Sequence, residues 1–293
     1  MTDRDEYVPP SEKGEPGGET KVISGRRDEN DVERFDEESF ERDRQFVVAL
    51  ARGLEILRCF GPGERHLGVT ELMRRTGIPK PSISRLAGTL CRLGYLDFDH
   101  GRSKYSLGSG VLSLGYAMLS NLDVREIARP LMQDLAEYSR ASVSIGIRDR
   151  LSMVYVETIR SSAPVALTRG VGARLSLATT SMGRALVAAA PEADRRFLMD
   201  QIRLRDEANW PKIEAGLKQG FRDYAERGFC LSMGEWNPEI VAVGVPFTLP
   251  DGTQMAFNCG CPAYVLTREQ LETDIGPRLV ALVRRVGRMM GRP

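Results

Sequence analysis

Histidine is almost missing from this chain of 293 residues: there are two, His66 and His100, and residues 109–293 have none. Nucleophilic catalysis of the Ser-His or Cys-His kind therefore has no base in the C-terminal part. Cysteine is scarce too. Cys59, Cys91, Cys230, Cys259 and Cys261 are an odd, scattered set, which argues against a disulfide framework and for a reducing cytoplasm. Cys259 and Cys261, two apart on a strand, send both sulfurs to one side, but no full ligand set accompanies them. They read as small core hydrophobes, and neither a metal nor a cofactor is expected. No stretch approaches the roughly 20 apolar residues of a membrane span, and the polar N-terminus lacks the apolar core of a secretory signal. A Gly-rich phosphate loop is also absent. Together these absences argue against an enzyme.

At 42% hydrophobic and 28% charged residues, the chain has material for two ordinary domains and a tail. Its charge is uneven. Residues 1–44 hold fifteen Asp/Glu against eight Lys/Arg and few large apolar groups, and read as a disordered acidic tail. Residues 45–108 hold ten Lys/Arg against five Asp/Glu, while the whole chain is only +1. Basic charge is thus concentrated in one segment.

That segment, 45–108, has the pattern of a winged helix-turn-helix. An amphipathic helix from Val47 to Phe60 stops at Gly61-Pro62-Gly63. A second helical pattern (Val69, Leu72, Met73) stops at Thr76-Gly77-Ile78, and a third opens at Pro79-Lys80-Pro81-Ser82. The third places Ile83, Leu86, Leu90 and Leu93 on one face at helical spacing. The other face carries Ser82, Ser84, Arg85, Gly88, Thr89 and Arg92, with Lys80 at its start and no carboxylate. Such a face can enter a major groove, where acids would be repelled by phosphates. Strands at 95–98 and 104–107 flank a hairpin tip from which Arg102 and Lys104 can reach the DNA backbone. A tri-helical unit with a wing also serves as a protein-binding module, so a ligand-sensing adaptor is the rival reading.

Residues 109–122 are expected to form a linker helix whose apolar surface exceeds what one face needs, which suggests burial against a second copy of the chain. A two-fold dimer would read half-sites about 34 Å apart. Residues 123–293 mix helices and strands as an α+β domain. Asp123 is expected to cap a helix burying Ile127, Leu131, Leu135 and Tyr138. Strands are expected at 143–147, 153–158, 164–169, 240–247 and 254–260. Helices are expected near 181–190, 192–202 and 212–227, with one long helix from Thr267 to about Met290. Thr179-Thr180-Ser181-Met182-Gly183 begins a helix, where free N–H groups and the dipole favour a carboxylate. By itself the turn reads first as a simple cap by Thr180 or Ser181 that binds nothing. On the strand 255–261, Ala256, Asn258 and Gly260 share one side, and Phe257, Cys259 and Cys261 share the other.

The stretch VTELMRRTGIPKPSISRLAGTLCRLGYL, the wing ending KYSLG, the linker helix and LATTSMGRALVAA together resemble the IclR family of bacterial transcriptional regulators. The similarity spans nearly all of residues 46–290. It implies an N-terminal winged helix-turn-helix and a C-terminal effector domain of GAF/profilin-like fold. It also implies homodimers, often paired into tetramers, double-stranded operator DNA as partner, and a small organic metabolite as signal. Most such proteins repress, some activate, and many control a neighbouring catabolic operon. By the same resemblance the effector site takes in Ser181, Met182, Gly183, Ser232, Ala242, Asn258 and Gly260. Where relatives commonly carry polar groups, this chain has Gly260 and Ala242, so the effector is expected to be bulkier and less polar than a small keto acid, such as an aromatic or alicyclic carboxylate.

Overall fold

The computed structural model describes residues 45–162 and 169–291. The acidic tail and, apart from Arg169, the strand expected at 164–169 lie outside them.

The N-terminal unit packs α1 (Val48–Arg58), α2 (Val69–Thr76) and α3 (Lys80–Arg92) around Ile56, Leu72, Ile83 and Ala87. Gly77 ends α2 at φ +74°, its N–H donating to the Met73 carbonyl. A side chain in that left-handed conformation would be strained, so glycine suits the turn. Pro79 precedes α3 in an extended conformation and directs the chain into it. The wing is a hairpin of β1 (Leu96–Asp99) and β2 (Lys104–Leu107), and Leu67 bridges to Tyr105 along its edge. Asp99 Oδ1 closes the hairpin by accepting from the N–H groups of Gly101 and Arg102. One expected core position differs. Leu93 is 62% exposed, because α3 ends at Arg92 and Leu93 turns outward as its cap.

Helix α4 (Ser109–Ser120) buries none of its residues within this chain. Helix α5 (Asp123–Ser139) follows with Leu122, not Asp123, as its cap residue and no side-chain cap bond. Asp123 instead occupies the first turn, where a carboxylate still opposes the positive helix end. The buried stripe of α5 is Val124, Ala128, Met132, Leu135 and Ala136, one step round from the expected set. This stripe faces the sheet and the last helix, between which α5 packs. Tyr138 consequently lies outside, its hydroxyl donating to Asp274 at 3.0 Å and its ring 4.0 Å beneath the Arg278 guanidinium.

The C-terminal domain is built on an antiparallel six-stranded sheet. Its strands are β3 (Ser142–Asp149), β4 (Ser152–Arg160), β5 (Arg174–Ser176), β6 (Cys230–Met233), β7 (Ile240–Thr248) and β8 (Gln254–Pro262), in the order β5-β4-β3-β8-β7-β6. The four-residue β6 gave no strand signal of its own. One face, with Val143, Ile145, Phe257, Cys259 and Cys261, packs on α5 and the C-terminal helix. The other face carries α6 (Ser181–Ala189), backed by α7 (Glu192–Arg205) and α8 (Trp210–Arg227). The last helix is not continuous. Thr267 caps a short α9 (Arg268–Gln270), then Leu271–Ile275 widens into a π turn before α10 (Gly276–Met289). Pro277 has no N–H to offer the carbonyl four residues back, so the ladder is interrupted there. Among the described residues no helix is long and apolar enough to cross a membrane.

The two units meet through charge. Glu55, 5% exposed in α1, accepts from Arg150 Nη2 at 2.9 Å, and Arg58 lies 3.5 Å from Asp149 at the end of β3. Asp149 also pairs with Arg174 of β5. Burial pushes the Asp149 carboxyl upward, but the hydrogen bond and charge of Arg174, with the charges of Arg58 and Arg150, outweigh it and hold the group below the usual range. A depressed carboxyl contributes stability above its unfolded pKa of about 4 and loses that contribution as pH falls through the folded value. Urea midpoints followed by circular dichroism should therefore fall more steeply on acidification from pH 5 to pH 3, to use round values near that pKa, in the native chain than in Asp149→Asn.

Candidate functional site

The cavity of the C-terminal domain follows from strand alternation. Every second residue of β3, β8, β7 and β6 faces α6, and the antiparallel register aligns them in rungs across the sheet. One rung runs Ser142, Gly260, Ala242, Ser232, and the next runs Ser144, Asn258, Gly244. The first is small throughout and forms an open floor. At Gly244 the sheet touches the start of α6 directly, since a Cβ there would collide with the Ser181 backbone.

Thr180 fixes that helix start. Its Oγ1 accepts from the Gly183 N–H at 3.1 Å and donates to the Ser176 carbonyl at 2.7 Å. Thr180 is therefore the cap, and the Ser181 hydroxyl, on a residue 1% exposed, has no partner. Ser181, Met182, Ser232, Ala242, Asn258 and Gly260 all line one cavity. Gly183 does not. It faces the Leu177 backbone so closely that a Cβ would overlap the Leu177 carbonyl, so its role is to let the turn close. Ser232 donates to the Thr179 carbonyl at 3.0 Å and so ties β6 to the same turn.

Several lining residues had no signal in the sequence. Tyr155 of β4, Trp236 and Ile240 stand between this cavity and a second one lined by Ser142, Ser144 and Arg169. Each holds about 360 Å³ of atom-free space, part of it open to solvent. Asn258 Nδ2 donates to the Tyr155 hydroxyl at 3.2 Å, leaving its Oδ1 buried without a partner. Ser142 Oγ and Trp236 Nε1 are likewise buried and unpartnered. Trp236 sits on a turn held by the buried Arg184 of α6, which donates to Leu231 O at 2.9 Å and to Glu235 at 3.0 Å. The Glu235 carboxyl is raised by burial but brought below its usual range by Arg184. Arg169 stacks 5.0 Å from the Trp236 ring centre. Among the described residues lining the two cavities, none is acidic.

Cys259 and Cys261 point into the opposite core, where burial pushes their thiols up to about 11 and about 12. Thiols so far from ionisation are poor nucleophiles and poor ligands.

On the N-terminal unit, Lys80, Ser84, Arg85, Thr89 and Arg92 are exposed along one side of α3, and Ser82 is half-buried. Thr89 donates to the Arg85 carbonyl at 3.0 Å. The wing cations are held locally: Arg102 Nη1 lies 3.0 Å from His66 Nε2, and Lys104 Nζ lies 3.4 Å from Glu71. Glu71 also accepts from the Gly68 N–H at the start of α2, and this bond, with Lys104, keeps its carboxyl below the usual range.

Two family models match the sequence: the IclR helix-turn-helix domain over residues 49–100, and the bacterial transcriptional regulator IclR C-terminal domain over residues 116–288. The chain belongs to the IclR family. Among IclR relatives, the HTH-type transcriptional regulator TsaQ1/TsaQ2 of Comamonas testosteroni is 32% identical over 240 residues, 81% of this chain and 86% of that protein. The crystal structure of an IclR family regulator from Brucella abortus matches at 49% identity and TM-score 0.79, over 85% of this chain and 95% of that one. An IclR homolog from Microbacterium hydrocarbonoxydans, solved with 4-hydroxybenzoate, shares the fold at 16% identity and TM-score 0.63, over 83% and 99% of the two chains. The protein is thus a transcriptional regulator with a DNA-binding helix-turn-helix, and its family is not enzymatic.

In this IclR-family domain, propensity and packing oppose each other at Gly183. Alanine in an exposed helix would gain about 1 kcal/mol, but here its methyl must displace backbone. Overpacking of that kind costs about 1–3 kcal/mol. Gly183→Ala should lower the urea midpoint without changing the slope, and an unchanged midpoint would show that the turn can yield.

Proposed function

We propose that the protein is a ligand-responsive repressor: α3 docks in an operator major groove, and an organic acid in the C-terminal cavity modulates that docking. The observation that carries the effector half is the set of buried polar atoms without partners, Ser142 Oγ, Ser181 Oγ, Asn258 Oδ1 and Trp236 Nε1, around a floor of small residues. Buried polar groups are normally satisfied, so four around two adjoining cavities, Asn258 and Trp236 shared by both, point to a bound molecule that satisfies them. The start of α6 offers N–H groups and a positive dipole end to a carboxylate. Tyr155, Trp236, Met182 and Ile240 offer apolar and aromatic walls. An aromatic or alicyclic acid suits that lining, and the fold holds such a ligand in the Microbacterium protein.

Coupling to DNA has a short physical route. Leu175 lines the cavity, and its neighbour Arg174 pairs with Asp149, which faces Arg58 of α1. A ligand that binds one arrangement of β5 better than another shifts the equilibrium by that difference in affinity. The working form is a homodimer or a dimer of dimers. Leu112, 74% exposed on α4, and Leu50, 62% exposed on α1, belong to apolar surface that a second copy would cover. Repression rather than activation depends on where the operator lies, and a neighbouring catabolic operon is the expected target.

Gel-shift titration on the operator separates the halves. Arg85→Ala should weaken binding about tenfold or more, within the 1–3 kcal/mol of a groove contact, and leave the fold intact. Unchanged affinity would remove Arg85 from the contact surface. Asn258→Leu should abolish the response to effector while DNA affinity without effector stays within about twofold, a change far below the 1.4 kcal/mol of a tenfold one. A persisting response would place the effector elsewhere.

A further inference from the structure

We infer that residues 28–43 fold back on α3 and cover its cationic side until DNA displaces them, so that the chain carries its own competitor for phosphate. This rests on the reading of α3 as the helix that enters DNA, and adds a control on it.

The N-terminal unit has more cations than it can pair. Of its five acids, Glu55 meets Arg58 and Arg150, Glu64 meets Arg75, Glu71 meets Lys104 and Asp99 meets Arg102. None of those pairs involves a residue of α3. There Lys80, Arg85 and Arg92 stand exposed, and among the described residues none of the three has an acidic partner. The missing acids stand just before α1 in the sequence. Residues 28–43 hold nine Asp/Glu against two Lys/Arg, as large an excess as the fifteen against eight of residues 1–44 as a whole. They lie outside the described residues, and before residue 49, where the match to the IclR helix-turn-helix begins.

Length permits the contact. Helices α1 and α3 pack together around Ile56 and Ile83. At about 1.5 Å per residue they are about 16 and 20 Å long, so no point of α3 is more than about 45 Å from the start of α1. The sixteen residues 28–43 span up to about 55 Å when extended. A segment tethered this close to its target acts at an effective concentration on the order of millimolar. Exposed ion pairs are individually weak, so the contact exchanges rather than locks. Covering α3 for part of the time lowers the apparent affinity for any duplex by that fraction, and most strongly in dilute salt.

The alternative is that the segment acts only through its charge at a distance, without touching α3. Carbodiimide, which joins a carboxylate to an amine in contact with it, separates the two. Lys80 is the single lysine of α3, whereas Lys104 is held by Glu71, and Lys212 and Lys218 lie on α8. Peptide mapping of the coupled full chain should find Lys80 joined to residues 28–43, with Lys212 and Lys218 unjoined to that segment. Added duplex should suppress the Lys80 adduct. In parallel, the full chain carrying Asp36→Asn, Glu37→Gln, Glu38→Gln, Glu41→Gln and Asp43→Asn together should be titrated against a labelled duplex of arbitrary sequence. At about 30 base pairs that duplex holds two half-sites about 34 Å apart. The variant should bind it about fivefold or more tighter than the native chain at low ionic strength. The native chain should lose affinity less steeply as salt is added, because the segment has already displaced counterions from α3, and the two should converge. Equal affinities in dilute salt overturn the inference, as does a Lys80 that forms no adduct with the segment. If neither chain retains the duplex, the reading of α3 as the DNA helix fails with it. If both retain it equally, that reading stands and the fold-back alone is lost.

Discussion

Two backbone-to-backbone approaches shape the C-terminal domain. The start of α6 lies against β7 at Gly244, and Gly183 closes against the Leu177 carbonyl. A methyl group at Gly244 would drive the helix off the sheet, and one at Gly183 would force open the turn that leads into it. Because both contacts involve main chain, the helix terminus is held at a set height above the floor, and the Thr180 cap fixes its angle. The cavity is what remains beside that contact, where the next rung of the sheet is made of Ser142, Gly260, Ala242 and Ser232. Helix-end polarity acts on a ligand only if the ligand reaches the N–H groups, and this approach governs that distance.

Arg184 sustains the arrangement from behind. It is buried on α6, pressed between Gly216 and Gly220 of α8, and its guanidinium spans Leu231 O and Glu235. A charge in such a place is tolerated because every side of it meets an acceptor or small residue. The result is that the turn after β6 is tied to α6 and moves with it. Ser232 joins the same tie through Thr179. Floor, roof and the tryptophan side wall are therefore joined by hydrogen bonds.

Much of this is legible in the sequence. The carboxylate-free side of α3 is exposed as its spacing implied, and the alternation of Asn258 and Gly260 against Cys259 and Cys261 holds through β8. What escaped was whatever depends on distant pairing. Tyr155 and Arg169 reach the cavity only through the register of β4, β3 and β8 and the return through β5, and single-strand periodicity carries no information about register between strands. Trp236 sits on a short turn whose position is set by Arg184, fifty-two positions earlier in numbering. The α5 stripe lies one step round from the spacing of Ile127, Leu131 and Tyr138, because packing against α10 and the sheet buries Val124, Ala128, Met132 and Ala136 instead. The π turn at Leu271–Ile275 needed the effect of Pro277 on a carbonyl one turn earlier, which a capping signal at Thr267 obscures.

Asp149 answers to two arginines, one in each half of the molecule. Its Oδ1 faces Arg58 and its Oδ2 meets Arg174, so a shift of β5 that moves Arg174 pulls the carboxylate against its contact with Arg58. The side chains involved are about one-third exposed, which leaves this tug-of-war partly open to mobile ions. The contact between the halves is consequently weakened by the salt of the surroundings, and it holds less firmly in brine than in dilute solution.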